Sequence, residues 1–160
     1  MPNTRRILLE GCCYHLIVRG NQKQPVFKEP EDHAFYLHLL KKQKRRHKFY
    51  LYAYCLMPNH VHLLGEIKPA THLSRFMHDL NRTYTLYFNH KYNEVGHLWQ
   101  GRFKHKLIYK DTYLIDCINY IERNPLRASL VNNPLDYPWS SYKTRAVGTA
   151  EKLIDELPSL

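Results

Sequence analysis

The sequence predicts an α+β fold of the ferredoxin-like class, an antiparallel four-stranded sheet with helices on one face. The first observation is the order of the predicted elements, β-α-β-β-α-β-α. The second is the spacing of the second and third strands, which only Pro58 and Asn59 separate, as in a hairpin. The third is that the two crossing helices are amphipathic. A further helix and a C-terminal extension follow, and residues 1–160 are expected to form one domain.

A polar loop separates the first strand from the first helix. Residues 14–19 form an apolar run that Gly20 ends. The helix over residues 31–48 begins with two acidic residues, which complement the positive end of the helix dipole. It ends in a basic run between residues 41 and 48. This run fits a solvated helix terminus and a phosphate-contacting surface equally well.

A hairpin and a long helix come next. Residues 49–57 and 60–67 are rich in aromatic and aliphatic side chains, which favours two strands. The helix over residues 73–92 repeats apolar side chains at i, i+3 and i+4, which predicts a core face before a base-stacking surface. Asn81 and Arg82 interrupt that apolar stripe, so they are candidates for facing a ligand.

The last strand and the last helix carry basic and polar side chains. In a strand over residues 102–109, Arg102, Lys104 and Lys106 share one face because side chains alternate. Such a stripe suits a phosphate backbone, and an ordinary exposed polar face explains it equally well. A helix over residues 111–124 follows. The remaining tail is expected to pack a tryptophan on the body before a weak C-terminal helix.

The composition favours a nucleic-acid partner and the cytoplasm. Lys and Arg number 24 against 14 Asp and Glu, which gives a net charge of +10 at pH 7. Such an excess points to a polyanion, most simply nucleic acid. The four cysteines lack CxxC spacing, so a zinc ribbon is not expected, and we interpret them as reduced, mostly buried thiols. No apolar run reaches the roughly 20 residues of a membrane span, so no membrane contact is expected.

Two histidines lie one residue apart in the third strand. Because successive side chains of a strand alternate, His60 and His62 point to one face and Val61 to the other. Two imidazoles on one face are suited to bind one metal ion. Taken alone, the triplet is better explained by two histidines on the wet face of an open sheet.

A tyrosine and an asparagine share a face of the last helix. Tyr120 and Asn124 are four residues apart. Tyr120 offers a nucleophilic hydroxyl and Asn124 an amide oxygen that can bind a hard cation, although the pair alone is more simply structural. With the two histidines in a basic protein, they predict a site in which Mg²⁺ or Mn²⁺ orients a phosphodiester for attack by the hydroxyl. Glu66 shares the strand face of the histidines and is a speculative base or outer-shell group.

Five motifs occur in an order that a known family shares. They are residues 18–21, 57–64, 99–103, 120–128 and 137–142. With these motifs the chain closely resembles the single-tyrosine HUH transposases of bacterial insertion sequences, and more narrowly the REP-associated tyrosine transposase branch. The resemblance extends over nearly the whole chain.

The resemblance implies an enzyme that cleaves and rejoins single-stranded DNA near a hairpin through a 5′-phosphotyrosine intermediate. It implies that Tyr120 is the nucleophile and that His60 and His62 bind a divalent metal, Mg²⁺ or Mn²⁺. A polar side chain one turn after the tyrosine completes the metal site; insertion-sequence members often have glutamine there, and this chain has the shorter Asn124. The site residues thus expected are Tyr120 as nucleophile and His60, His62 and Asn124 as metal ligands.

The expected partner is single-stranded DNA with a hairpin, in a cytoplasmic, nucleoid-associated setting. Some members of the family are homodimers and REP-associated members can act as monomers, so both states stay open. The alternative function is a non-catalytic module for single-stranded nucleic acid, because ferredoxin-like sheets with aromatic residues bind RNA. The DNA contacts expected from the resemblance are Arg19, Asn21 and Lys23, and those expected from the basic stripe are Arg102, Lys104 and Lys106.

Overall fold

Four antiparallel strands form one sheet in the spatial order β2-β3-β1-β4. The computed structural model describes residues 5–149 and 153–159. The β-α-β-β-α-β order and this strand arrangement confirm the predicted ferredoxin-like α+β fold. The strands are β1 (Cys13–Arg19), β2 (Phe49–Met57), β3 (His60–Ile67) and β4 (Lys104–Ile108), and the helices are α1 (Pro30–His47), α2 (Leu73–Tyr92), α3 (Thr112–Glu122), α4 (Asn124–Arg127) and α5 (Tyr142–Val147).

The predicted boundaries differ from the observed ones mainly near the last strand and the last helix. Strand β4 is shorter than predicted, so Arg102 precedes it instead of belonging to it. The predicted last helix is interrupted at Arg123, whose φ of −94° and ψ of 3° depart from helical values. A new turn, α4, begins at Asn124 and continues through Pro125, which lacks the N–H that an unbroken helix would need. Tyr120 and Asn124 therefore belong to consecutive helical segments.

Helices α1 and α2 cover one face of the sheet. Leu16 of β1 and Leu63 of β3 point to this side and are fully buried, together with Leu40 of α1. Phe49 and Phe76 stack with ring centroids 4.3 Å apart and join β2 to α2. Burial of each such side chain stabilises the fold by about 1.5–3 kcal/mol, so this layer supplies most of the core.

Helix α3 packs on part of the opposite face. A sheet with helices on one face only would leave this face open, and here it is partly covered. Leu114, Ile118 and Ile121 recur at helical spacing and are buried against that face, where they meet Cys55 and Leu64. An apolar helix stripe has to be covered, and the sheet is the nearest apolar surface. The packing places the end of α3 beside the histidine pair of β3.

The C-terminal segment ties α3 to the edge strand β2. The backbone N–H of Ser141 donates to the carbonyl of Tyr54 at 3.0 Å, and the carbonyl of Trp139 accepts from β2 at 2.8 Å. Glu122, at the end of α3, is buried and accepts hydrogen bonds of 2.8 Å from the Ser141 hydroxyl and from Nε of Arg145. The helix that carries Tyr120 is thus anchored within its own chain.

The state of the cysteines agrees with the expectation from composition. The four cysteines are buried, unpaired thiols, as expected for reduced residues. Within residues 5–149 and 153–159, no helix is both long enough and apolar enough to cross a membrane.

Asp32 is a fully buried carboxylate that joins α1 to the end of α2. It accepts hydrogen bonds from the backbone N–H of Lys28 at 2.9 Å, from the Tyr87 hydroxyl at 2.8 Å, from Nζ of Lys91 at 2.7 Å and from the Tyr92 hydroxyl. Burial raises the pKa of Asp32, but these hydrogen bonds together outweigh burial and lower the pKa to about 2. The carboxylate is therefore charged in the folded protein at neutral pH.

Replacing Asp32 by asparagine is expected to lower the free energy of unfolding by about 3 kcal/mol at pH 7, because it removes one partner of a buried charged network. The folded-state pKa is depressed, so this stabilisation is present above the unfolded pKa and is lost as the pH falls through about 2. Urea unfolding at pH 7 and pH 3 measures the effect. Asp116→Asn, at an exposed position, is the control; equal losses in both variants would contradict the prediction.

Candidate active site

Strand β3 presents both histidines to the face on which α3 packs. In the sheet register, His60 is paired with Arg19 of β1 and His62 with Ile17. Their ring centroids are 4.9 Å apart. His62 is 3% exposed, whereas His60 at the end of the strand is half-buried. The alternation of side chains thus brings the two imidazoles together, as the sequence predicts.

Each imidazole of the pair uses Nδ1 for a hydrogen bond within the protein. Nδ1 of His60 lies 2.7 Å from Oδ1 of Asn59, and Nδ2 of the same amide donates to the carbonyl of Lys23 at 3.4 Å. With the amide in this orientation, its oxygen accepts and Nδ1 of His60 carries the proton. Nδ1 of His62 lies 2.8 Å from Nε2 of His15. The Nε2 atom of His60 therefore keeps its lone pair, and Nε2 of His62 keeps its lone pair when its Nδ1 is the donor to His15.

Burial keeps the histidines of this face neutral. Burial, and then the positive charge of Arg19, lowers the pKa of His60 to about 4. Burial, followed by the neighbouring His15 and His60, lowers the pKa of His62 to about 2. Burial and the charge of Lys106 lower the pKa of His15 to about 4. Neutral imidazole is the form that binds metal ions, so the protonation state of the pair suits that role.

Tyr120 lies beside the histidine pair in the same chain. Its ring centroid is 6.1 Å from that of His62 and 6.1 Å from that of His15. The side chain is 51% exposed, so the phenol is accessible from solvent. The guanidinium of Arg127 covers the ring at 4.1 Å and donates a hydrogen bond of 2.5 Å to the Tyr120 carbonyl. The arginine fixes the ring from one side and adds positive charge beside the phenol.

The side-chain amide of Asn124 lies against Nε2 of His62. Its amide nitrogen lies 2.8 Å from that atom, and a half-turn of the amide would exchange nitrogen for oxygen. Two neighbouring ligands of an octahedral Mg²⁺ lie about 2.9 Å apart, which matches this spacing. Among the described residues, no three His, Cys, Asp or Glu are placed to hold a metal ion, so a set of three protein ligands here needs the amide.

Glu66 is held at the far end of the same face. Its carboxylate accepts a hydrogen bond of 2.6 Å from the Tyr52 hydroxyl and forms an ion pair of 2.7 Å with Lys110. Glu66 is four positions beyond His62, and four positions along a strand span about 13 Å. Its contacts fit a structural link between β2 and the segment after β4 better than a base for Tyr120.

Three of the six candidate DNA contacts flank the histidine pair. Arg19 is exposed at the end of β1, where it is the register partner of His60. Lys104 and Lys106 are exposed on β4 and share this sheet face, because they are paired with Ile17 and His15. A cationic border therefore lies on the β1–β4 side of the histidine pair.

The other three candidate contacts lie farther round the molecule. Asn21 and Lys23 belong to a short 3-10 turn after β1 and are at least partly exposed. Arg102 lines a cavity of about 470 Å³ on the α2 side of the sheet, together with Asn81 and Arg82, which the sequence marks as candidates for facing a ligand. Arg102 also lines a second cavity of about 440 Å³ with Lys104 and Lys106, so it lies next to the basic border as well.

Sequence patterns do not identify two residues of this site, His15 and Arg127. His15 and Arg19 point to the same face of β1 because side chains alternate, so the face of His15 is predictable, but the register of β1 against β3 is not. Arg127 is seven residues beyond Tyr120, and the helix is interrupted at Arg123 between them. In an unbroken helix two such residues share a face but lie two turns, about 10 Å, apart, so helical spacing alone does not predict this contact.

Comparisons with known proteins identify relatives of this chain. The family model described as "Transposase IS200 like" matches residues 9–124. A relative from Haemophilus influenzae that carries the name REP-associated tyrosine transposase is 30% identical over 153 residues, covering 89% of this chain and 86% of that protein.

Two solved structures resemble the fold. One is a REP-associated tyrosine transposase bound to a REP hairpin, with a TM-score of 0.75, 21% identity, and 98% of this chain and 95% of that chain covered. The other is a crystal structure at 1.90 Å resolution of a protein named as a transposase from Deinococcus radiodurans, with a TM-score of 0.52, 21% identity, and 77% and 97% covered. On the extent of the family match and the identity to the curated relative, the chain belongs to the IS200-like transposase family, the tyrosine transposases.

Proposed function

We propose that this protein cleaves and rejoins single-stranded DNA through a covalent link between Tyr120 and a 5′ phosphate, with a divalent metal at the histidine pair. The observation that carries the proposal is the convergence of Tyr120, His62 and Asn124 from separate segments of one chain. Because each set of contacts lies within a single chain, the site needs no residue from a second copy.

A divalent metal fits the residues present. His60, His62 and Asn124 would hold it through two Nε2 atoms and an amide oxygen, and the Nδ1 contacts of the histidines fix their rings. A mixed set of nitrogen and oxygen ligands suits Mn²⁺ as well as Mg²⁺. When bound, the ion would polarise the oxygens of the scissile phosphate.

The residues of the chain supply the rest of the reaction. The Tyr120 hydroxyl attacks phosphorus, the bond from phosphorus to the 3′ oxygen breaks, and a 5′-phosphotyrosine and a free 3′-hydroxyl result. The phenol loses one proton and the departing 3′ oxygen gains one, so the step is balanced. Attack by a 3′-hydroxyl on the phosphotyrosine reverses it and rejoins a strand without ATP. Arg127 holds the phenol ring against the site throughout.

A DNA hairpin of the REP type is the proposed substrate. A relative of the same fold is bound to a REP hairpin, and the curated relative carries the REP-associated name. The net charge of +10 and the exposed Arg19, Lys104 and Lys106 around the site suit a phosphate backbone. Whether the reaction moves a mobile element or processes host repeats, the chemistry at Tyr120 is the same.

The test is incubation with single-stranded oligonucleotides that contain a REP-type hairpin and flanking DNA, in the presence of Mg²⁺ or Mn²⁺. We expect a protein–DNA adduct that survives denaturing electrophoresis and disappears when the metal is chelated. Binding of the hairpin without any adduct, across substrates and metals, would contradict the proposal and favour the non-catalytic binding module.

The basic border predicts how salt affects DNA binding. In Lys104→Gln/Lys106→Gln, the slope of log affinity against log salt is expected to fall in magnitude by about 1.4, since each contact with a single strand contributes about 0.7. Fluorescence anisotropy at several salt concentrations measures it. Lys28→Gln/Lys143→Gln, at two exposed positions outside the border and outside the basic run of residues 41–48, is the matched control. A slope that changes equally in both pairs would mean that the border does not contact DNA specifically.

A further inference from the structure

His15 is a buried histidine that the proposed reaction does not use directly. It lies within β1, is 4% exposed and is paired in the sheet register with Leu64 and Lys106. Its Nε2 is 2.8 Å from Nδ1 of His62, and the two rings are stacked with centroids 5.1 Å apart. A polar side chain so deeply buried needs a partner, and His62 is that partner.

The hydrogen bond between the two rings can run in either direction, and the direction decides what His62 can bind. If His62 donates from Nδ1, its Nε2 has a free lone pair toward Asn124. If His15 donates instead, the proton of neutral His62 sits on Nε2 and blocks that position. At His60 the same choice is settled by Asn59, whose amide oxygen can only accept.

We propose that His15 is a positioning residue for His62. Its Nε2 accepts the proton of His62 Nδ1, and so holds the His62 ring in the tautomer and orientation that present Nε2 to a divalent metal. His15 thus does for His62 what Asn59 does for His60. This inference rests on the proposed metal-dependent function, and it adds a residue from β1 to a site otherwise built from β3 and the helices.

Two substitutions separate an acceptor from a merely structural ring. His15→Phe keeps a planar ring but leaves His62 Nδ1 without an acceptor, whereas His15→Gln restores an acceptor oxygen on a side chain of similar reach. Loss of such an outer-shell partner typically weakens metal binding 10–100-fold. We expect the Mn²⁺ dissociation constant of His15→Phe to rise by about that factor, and that of His15→Gln to stay within about 3-fold of wild type.

The measurement is Mn²⁺ titration of the protein without DNA, followed by electron paramagnetic resonance, with thermal unfolding of each metal-free variant in parallel. His105→Phe is the matched control, because His105 lies on β4 on the other sheet face and contacts Arg6. Equal Mn²⁺ affinity in wild type and His15→Phe would overturn the role of His15 alone. No Mn²⁺ binding by the wild type would overturn this inference and the proposed function together.

The tautomer can also be read in the unmodified protein, which keeps the proposal testable if His15→Phe does not fold. Long-range ¹H–¹⁵N correlation at neutral pH distinguishes a protonated from an unprotonated ring nitrogen. We expect His62 to carry its proton on Nδ1 and to have an unprotonated Nε2. A proton on His62 Nε2 in the metal-free and the Mg²⁺-loaded protein would overturn the proposal.

Discussion

Tyr120→Phe is expected to abolish the covalent protein–DNA adduct, with strand cleavage reduced by at least about 10³-fold. The substitution removes only the hydroxyl that attacks phosphorus. Tyr120 is 51% exposed and its ring contacts are with Arg127, His15 and His62, so the ring itself can keep its place. Hairpin affinity is therefore expected to stay within about 3-fold of wild type, well under the 1.4 kcal/mol that a 10-fold change represents.

The chain offers a matched control for this experiment on the same helix. Tyr113 lies in the first turn of α3 and is 65% exposed, with no contact to the histidine pair among those described. Tyr113→Phe should give the adduct at the wild-type yield. If Tyr120→Phe instead formed the adduct as well as Tyr113→Phe does, the nucleophile would have to be another residue.

His62→Gln is expected to have the second-largest effect, the loss of measurable Mn²⁺ binding and a fall in cleavage of about 10²–10³-fold. His62 lies at the centre of the site, with hydrogen-bond contacts to His15 and Asn124 at 2.8 Å each. Its replacement removes one proposed metal ligand and also the imidazole that Asn124, a second proposed ligand, contacts. Excess Mn²⁺ should restore part of the activity, because weaker binding is overcome by mass action.

Calorimetric titration with Mn²⁺ and a cleavage assay on the same hairpin measure this effect. His78→Gln, at a largely exposed position of α2, is the control and should match wild type in both assays. Tyr120→Phe should bind Mn²⁺ normally, which would separate loss of the nucleophile from loss of the metal. Unchanged Mn²⁺ affinity in His62→Gln would place the metal elsewhere.

The histidine pair could be predicted from the sequence because it depends only on local geometry. Alternation along one strand places His60 and His62 on one face whatever the rest of the fold does. Asn59 lies in the turn of the same hairpin, so its position next to His60 is local as well. His15 could not be assigned to the site in this way, because its contact with His62 depends on the register in which β1 pairs with β3. No hairpin turn joins β1 to β3, so no turn geometry in the sequence fixes their register.

The sequence predicts that Tyr120 and Asn124 belong to the site, but it does not predict the course of the backbone between them. A continuous helix would place Asn124 one turn beyond Tyr120 on the same face. The interruption at Arg123 instead starts a new turn, which directs Asn124 to His62 and brings Arg127 over the phenol ring. Pro125 indicates that the helix must be disturbed, but the direction of the following turn depends on how its residues pack against the sheet.

Sequence patterns also do not predict the contacts that anchor α3. In the sequence, Glu122 has no feature that sets it apart from an exposed helical carboxylate. In the structure it is buried and accepts hydrogen bonds from Ser141 and Arg145, which lie about twenty residues later. These contacts hold the tyrosine helix against the sheet of its own chain, and long-range pairs of this kind become visible only in the folded structure.

The most direct measurement is identification of the residue that carries DNA after reaction of the wild-type protein with a single-stranded REP-type hairpin and Mn²⁺. Protease and nuclease digestion followed by tandem mass spectrometry should find a nucleotide 5′ phosphate on the Tyr120 side chain, and the released strand should end in a free 3′-hydroxyl. A nucleotide on any other side chain, or efficient cleavage of the hairpin with no covalent intermediate on the protein, would contradict the proposed chemistry.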